Sequence, residues 1–280
     1  MHSAMLSLSV LAALAAPQFW SGKRVLIAGA SSGLGAALAT ELSSRGALLA
    51  LGARRIERLE AVASACAEVG APSSIVELDV TADPDVLADR AKAAAALLGG
   101  PLDALVYTAG AGQRSAAAET PHELHARLMA TNFEGAVALT RAVLPGMLAR
   151  GHGSIAVVSS VQGFFGQPYR SSYSASKAAM IGYFDSLRAE TAGAGVAVTV
   201  CAPGYIATEH AANALGSADD EPPGPPKGMA AEALAARLAD AVARGRAELV
   251  PSQPDGRVAM LLRRLWPGAL FRIMERKARA

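Results

Sequence analysis

Between residues 24 and 45 a β-branched run, a glycine-spaced loop and a helix-forming stretch follow one another without interruption. Arg24-Val25-Leu26-Ile27-Ala28 reads as a buried strand, Gly29-Ala30-Ser31-Ser32-Gly33-Leu34-Gly35 as a tight loop, and residues 36–45 as a helix. That order makes the C-terminal end of a strand face the N-terminus of a helix. Glycines at this place let the backbone turn sharply and approach a pyrophosphate, which the positive end of the helix then holds. The spacing is Gly-x-x-x-Gly-x-Gly, not the commoner Gly-x-Gly-x-x-Gly. Gly29, Ser31, Ser32, Gly33, Leu34 and Gly35 are therefore candidate cofactor contacts.

The alternation begun there continues. Strand-like runs at 47–53, 74–80, 103–108, 154–159 and 195–202 are separated by helical stretches. One of these, at 83–98, is rich in alanine and stopped by Gly99-Gly100-Pro101; another runs long, from 121 to 150. Regular βαβ alternation demands a parallel sheet with helices on both faces, and such sheets bind ligands at their strand C-termini. The expected fold is one Rossmann-like, doubly wound α/β domain of about seven strands over residues 21–255. At the end of the second strand, where an NAD-binding chain would place an acid against the ribose 2′-hydroxyl, Ala53 is uncharged and Arg54 follows. A guanidinium there meets a 2′-phosphate as a fork, so the expected cofactor is NADP(H). The alternative is that Arg54 and Arg55 simply begin a solvated helix.

A second cluster occupies residues 159–177. Tyr173 and Lys177 are four apart and share one helix face, while Ser160 ends the strand-like run before them. An ammonium beside a phenol favours phenolate, so Lys177 is expected to lower the Tyr173 pKa from about 10 toward working pH. Tyr173 then serves as a general acid/base and Ser160 holds the substrate oxygen. Tyr-x-x-x-Lys alone is a common helical pattern; its place in the βαβ order is what gives it weight.

Composition sets the outer bounds. Of 280 residues, 52% are hydrophobic and 18% charged, enough for a large core. A net charge of +2 makes no case for nucleic acid. Cys66 and Cys201 read as core residues of a reducing compartment. Only His122 and His125 lie close together among the histidines, without further ligands at metal spacing, and no metal is assigned. Residues 4–16 are apolar apart from two serines. As a helix, residues 4–20 would reach about 25 Å, short of a hydrocarbon core of about 30 Å. The favoured reading of residues 1–20 is a short membrane anchor or interfacial segment; a core helix, a frayed extension and a cleaved signal are the alternatives. Lys23 and Arg24 just after it place the domain on the cytosolic side, with the endoplasmic reticulum expected and a cytoplasmic protein as the alternative.

These motifs together resemble the short-chain dehydrogenase/reductase family over roughly residues 20–250, and most nearly a membrane-anchored type within it. The resemblance rests on Gly29-x-x-x-Gly33-x-Gly35, Asp79, Ala109-Gly110, Asn132, Ser160, Tyr173-x-x-x-Lys177 and Pro203-Gly204-x-x-x-Thr208. It implies that Tyr173 transfers the proton, that Lys177 lowers its pKa and holds the nicotinamide ribose, and that Ser160 orients the carbonyl. Asn132 would kink its helix and anchor a water leading to Lys177. Asp79, with Val80 beside it, would face the adenine, Ala109-Gly110 the adenosine ribose, and Pro203, Gly204, Ile206 and Thr208 the nicotinamide. The chain departs from the family at Tyr107-Thr108, where Asn-Asn is usual. Thr108 must supply a hydroxyl there, or a tie between the central strands is lost.

The implied reaction is NADP(H)-dependent interconversion of a carbonyl and an alcohol on a small hydrophobic, lipid-like substrate. Phe164, Phe165, Pro168 and Tyr205 suggest an apolar pocket, and the proline-rich, acidic stretch within 205–229 a lid over it. Residues 256–280 mix leucines and aromatics with arginines, an amphipathic tail suited to a bilayer, the substrate mouth or a second subunit of a homodimer. The rival from another class is a catalytically silent NADPH-binding membrane scaffold or sensor; a binding module would need no proton relay.

Overall fold

The computed structural model describes residues 18–210, 213–216 and 228–279. The expected anchor up to residue 17, and residues 211–212 and 217–227 of the expected lid, lie outside the described residues. In chain order the strands are β1 (Arg24–Ala28), β2 (Leu48–Ala53), β3 (Ser74–Glu77), β4 (Ala104–Tyr107), β5 (Gly153–Val158), β6 (Val196–Cys201), β7 (Ile206–Ala207), β8 (Met229–Ala230) and β9 (Glu248–Leu249). The helices are α1 (Gly33–Ser44), α2 (Ile56–Val69), α3 (Pro84–Leu97), α4 (His122–Met129), α5 (Gly135–Arg150), α6 (Ser171–Glu190), α7 (Ala231–Ala243), α8 (Pro254–Leu265) and α9 (Pro267–Arg279).

Seven strands form one parallel sheet in the order β3-β2-β1-β4-β5-β6-β9, and β7 and β8 make a separate two-stranded ladder. This is the doubly wound α/β architecture expected from the alternation. Strand β1 shows why it must be covered on both sides. Val25 and Ile27 enter the core against α1, α2 and α7, while Leu26 and Ala28 enter the core against α3, α5 and α6. Each fully buried Leu or Ile contributes roughly 1.5–3 kcal/mol, so a run apolar at every position is stable only between two helical layers. The chain winds outward from β1 to β3, then crosses back to β4 on the other flank. That reversal opens a crevice at the C-terminal ends of β1 and β4.

The structure differs from the sequence reading in three places. The 121–150 helix is interrupted by a π-helical turn at Ala130–Glu134, which separates α4 from α5. Trp20, assigned to the apolar N-terminal segment, is a core residue instead. Its indole N–H donates to the Ala239 carbonyl at 3.2 Å and its ring is buried against the α1–α7 side. The 256–280 tail starts earlier, as α8, and breaks at Trp266 before Pro267, where a proline disfavours helical conformation in the residue preceding it.

Candidate active site

A cavity of about 740 Å³ runs along the C-terminal ends of the strands. It reaches from Gly33 and Arg54 past Asp79 to Ser160, Tyr173 and Lys177. The other cofactor candidates, Gly29, Ser31, Ser32, Leu34, Gly35, Val80, Ala109, Gly110, Pro203, Gly204, Ile206 and Thr208, also line it. Asn132 does not; it is fully buried behind the wall.

The glycine loop is built for close approach. Gly29 has φ 95°, and a Cβ on it would stand 2.5 Å from the Ala109 backbone nitrogen. Gly33 has φ 54°, and its missing side chain leaves Thr208 packed directly against it, at 3.3 Å from a would-be Cβ. A Cβ on Gly110 would meet Asn132 Oδ1 at 3.3 Å and Lys177 Nζ at 3.4 Å. Glycine at these positions lets the loop pack directly on Ala109 and Thr208, and the N-terminus of α1 lines the cavity, where a dinucleotide phosphate would find helix N–H groups.

At the far end of the cavity, α6 presents Tyr173 and Lys177 on one face. Lys177 Nζ donates to the Val158 carbonyl at 2.8 Å and lies 5.9 Å from the centre of the Tyr173 ring. The Ser159 hydroxyl donates to the Lys177 carbonyl at 2.9 Å, which pins β5 to α6. Ser160 begins the next turn and accepts from the Gln162 N–H at 3.2 Å. The π-helical turn has a visible purpose: it swings Asn132 inward. Its Oδ1 accepts from Ala111 N–H at 2.7 Å, and its Nδ2 donates to the Ala111 carbonyl and the Ser176 hydroxyl at 3.0 and 2.9 Å. Asn132 thus clamps the β4 loop to α6 through its side chain.

The electrostatics amend one expectation. Burial pushes the Tyr173 phenol above its ordinary value, opposed by a hydrogen bond from the Ser160 hydroxyl and by the Arg170 charge. Lys177 does not draw it down; burial lowers its own pKa to about 8. For a phenol and an amine both enclosed in protein, desolvation outweighs their mutual influence. Asp79 behaves differently. Burial opposes its ionisation, but two hydrogen bonds from Thr81 at 3.0 and 2.8 Å, with Arg54 and Arg127 near, hold its carboxyl below the usual range.

The departure at residues 107–108 resolves into two bonds. The Thr108 hydroxyl donates to the Ala28 carbonyl at 3.0 Å, so β1 and β4 remain tied. Tyr107 is fully buried, and its hydroxyl donates to the Thr131 carbonyl at 2.5 Å. A π-helical turn displaces backbone carbonyls from their helical partners; here a phenol reaches one of them, next to Asn132.

Three residues not among the sequence candidates for the site belong to it. The Arg55 Nη2 donates to the hydroxyls of Ser31 and Ser32 at 3.0 and 3.2 Å, so both arginines after β2 face the cradle. Gln113 is fully buried, and its Oε1 accepts from the N–H groups of Ser172 and Tyr173 at 2.8 and 3.1 Å. It caps α6 from another loop, a role without a local signature. The His210 ring centre lies 5.9 Å from that of Tyr173. The His210 side chain is exposed and lines the cavity; the protein packed around it, with the charges of Lys177 and Arg170, lowers its pKa to about 4.

The substrate end is less apolar than expected. Phe165 and Tyr205 line it, while Phe164 packs against the C-terminal helices and Pro168 is not part of the wall. Gln162, Gln167, Arg170 and His210 also face in, and Gln162 Oε1 is buried with no hydrogen-bond partner among the described residues.

Comparison with known proteins agrees with this geometry. Residues 23–217 match the family model described as short chain dehydrogenase. The chain is 40% identical to a "Dehydrogenase/reductase SDR family protein 7-like" of Anopheles gambiae, over 92% of this chain and 84% of that protein. It is 36% identical to "Dehydrogenase/reductase SDR family member 7B" of Bos taurus, over 91% and 81% respectively. Among solved structures, a short-chain type dehydrogenase/reductase from Mycobacterium marinum superposes with a TM-score of 0.73 at 26% identity, covering 84% of this chain and 96% of that one. A parallel seven-stranded sheet, a glycine cradle at its switch point and these relatives agree: the chain belongs to the short-chain dehydrogenase/reductase family of oxidoreductases, which work with a nicotinamide cofactor.

Proposed function

We propose that the protein is an NADPH-dependent reductase of a carbonyl compound, with Tyr173 as the proton donor. The observation that carries this reading is the enclosed phenol of Tyr173, with Ser160 lining the same cavity and Lys177 on the same helix face, at the end of a cavity that starts at the glycine cradle. The residues named above, from Gly29 to Thr208, would hold the cofactor. Hydride chemistry is supplied by the bound nicotinamide. Ser160 and Tyr173 orient the substrate oxygen and stabilise the charge that gathers on it. Tyr173 is the hydroxyl in this cavity placed to give its proton to the substrate oxygen, although burial, which raises its pKa, works against that transfer. Lys177, mostly charged below about pH 8, faces the same space from Val158 and can return a proton to the phenolate. Asn132 fixes the loop and helix that carry these groups.

The choice of NADPH over NADH is supported by Arg54 and Arg55, which both line the cradle, and by Ala53, which leaves the end of β2 itself without an acid. Arg58 also lies there, but Glu209 pairs with it at 3.1 Å. The substrate we infer is lipid-like: an apolar body against Phe165 and Tyr205, with a polar end toward Gln162, Arg170 and His210. NADPH oxidation against a panel of hydrophobic ketones and aldehydes tests the reading. The expected result is consumption with at least one of them, strongly preferring NADPH. Replacing both Arg54 and Arg55 by Ala should raise KM for NADPH by roughly 100-fold or more, since each charge-assisted bond is worth about 1.5–3 kcal/mol, and leave KM for NADH nearly unchanged. Cofactor binding without any consumption would favour a silent sensor instead.

A further inference from the structure

The two C-terminal helices carry a surface that the site does not use. Half of the twelve exposed large hydrophobic side chains among the described residues fall between 258 and 273. Val258, Leu261 and Leu265 follow one another at helical spacing along a single face of α8, exposed by 54%, 57% and 70%, and Trp266 continues beyond them at 64%. The other side of the pair is already occupied: Ala259 and Leu270 are buried against Val161 and Phe165. Folding of the domain therefore explains the inner face and leaves the outer one without a partner.

Charge is distributed to match. Residues 254–279 hold seven of the chain's 26 Lys and Arg but only two of its 24 Asp and Glu. The tail is thus strongly cationic, while the rest of the chain, with 19 cations against 22 acids, is slightly anionic. Arg257 and Arg264, seven residues apart, run along one edge of the apolar stripe. Arg263 sits with its guanidinium 5.5 Å from the centre of the exposed Phe271 ring. None of these seven cations makes an ion pair among the described residues.

We propose that this outer face of α8, with Trp266 and the cations beside it, docks on the surface of an anionic lipid bilayer. Leucines and a tryptophan fringed by arginines suit the boundary between acyl chains and headgroups, where the apolar side enters and the cations meet phosphate. A second copy of the chain is a poorer occupant. A two-fold contact would bring the same cationic patch face to face with itself. The location also has a consequence for the cavity. Asp255 and Gly256, at the start of α8, line its mouth, and the Tyr169 hydroxyl donates to the Ala278 carbonyl at 2.7 Å. Docking would therefore set the mouth at the lipid surface, without requiring any helix to span it.

The test uses the full chain and vesicles of phosphatidylcholine alone or with about a third phosphatidylserine. Binding should rise with phosphatidylserine and fall with salt; the apolar run at 4–16 has no charge, so partitioning through it would not show that dependence. Trp266 emission should shift to the blue and be quenched by brominated lipids, a signal removed in Trp266→Phe because Trp20 is buried. The double variant Leu261→Glu/Leu265→Glu should lose roughly tenfold or more of the phosphatidylserine-dependent binding while NADPH affinity, which reports an intact fold, stays at the parental value. Parental vesicle binding by that variant, or a Trp266 signal indifferent to vesicles, would overturn the proposal. Conversion of a dimer into a monomer by that variant with vesicle binding unchanged would overturn it as well and assign the face to a second copy.

Discussion

Tyr107 and Thr108 stand where the family usually has two asparagines, and each replaces an amide by a hydroxyl with a different duty. The Tyr107 hydroxyl, on a fully buried side chain, donates to the carbonyl of half-buried Thr131 at the π-helical turn. Tyr107→Phe should therefore cost about 1–3 kcal/mol, the penalty for leaving a partly buried carbonyl without its donor. Thr108→Val should cost less, roughly 0.5–1.5 kcal/mol, because the Ala28 carbonyl still accepts from the N–H groups of Thr108 and Ala109 at 2.8 and 3.0 Å. Urea midpoints of the two variants at constant m-value decide the order. Equal losses would show that the phenol at the turn carries no special load. The Thr108 tie was legible in the sequence because a missing amide names the bond it used to make. The Tyr107 bond was not, since its partner exists only once a helix has been widened by one residue.

Helix α6 illustrates what periodicity can and cannot say. Its length and the common face of Tyr173 and Lys177 follow from spacing alone. Its start does not: residue 170 is an arginine without a capping side-chain bond, and the acceptor comes from Gln113, 59 residues earlier than Ser172. Gln113→Leu leaves two N–H groups of the first turn without an acceptor and should destabilise the fold by about 1–2 kcal/mol, as loss of a cap does. Gln113→Glu keeps the acceptor and should restore most of that stability; thermal melts of the pair test the assignment. The break between α4 and α5 was visible only as an asparagine in mid-helix, whereas the sheet, built from contiguous apolar runs, could be read strand by strand apart from the two-residue β9. Short strands carry too little pattern, and contacts between distant loops carry none.

For the molecule as a whole, the buried Lys177 dominates the pH response, with a smaller part from His210. Lys177 binds its proton less readily in the folded chain, about 8 against an ordinary 10.5, so between these values the unfolded chain holds more protons. Stability from this group therefore rises with pH through that window, and the cost of burying its charge is fully present below about 8. Lys177→Met should gain most on the parent near neutrality, an advantage that shrinks as pH approaches 10.5. His210, lowered to about 4 from 6.5, acts in the same direction on the acid side, its effect reduced by solvent because the ring is exposed. Parental stability should fall as pH drops from 6.5 to 4, and His210→Gln should flatten that decline. Urea unfolding across both windows checks the signs; a Lys177→Met advantage independent of pH would mean that the amine is not buried in its charged form.

The most direct test of the central claim is turnover by Tyr173→Phe once an active substrate is in hand. Removing one hydroxyl from a ring that stays packed should lower kcat by roughly 10²–10⁴-fold, the usual worth of a general acid, while the affinity for NADPH is retained. Parental turnover in that variant would contradict the account, because the proton would then come from elsewhere.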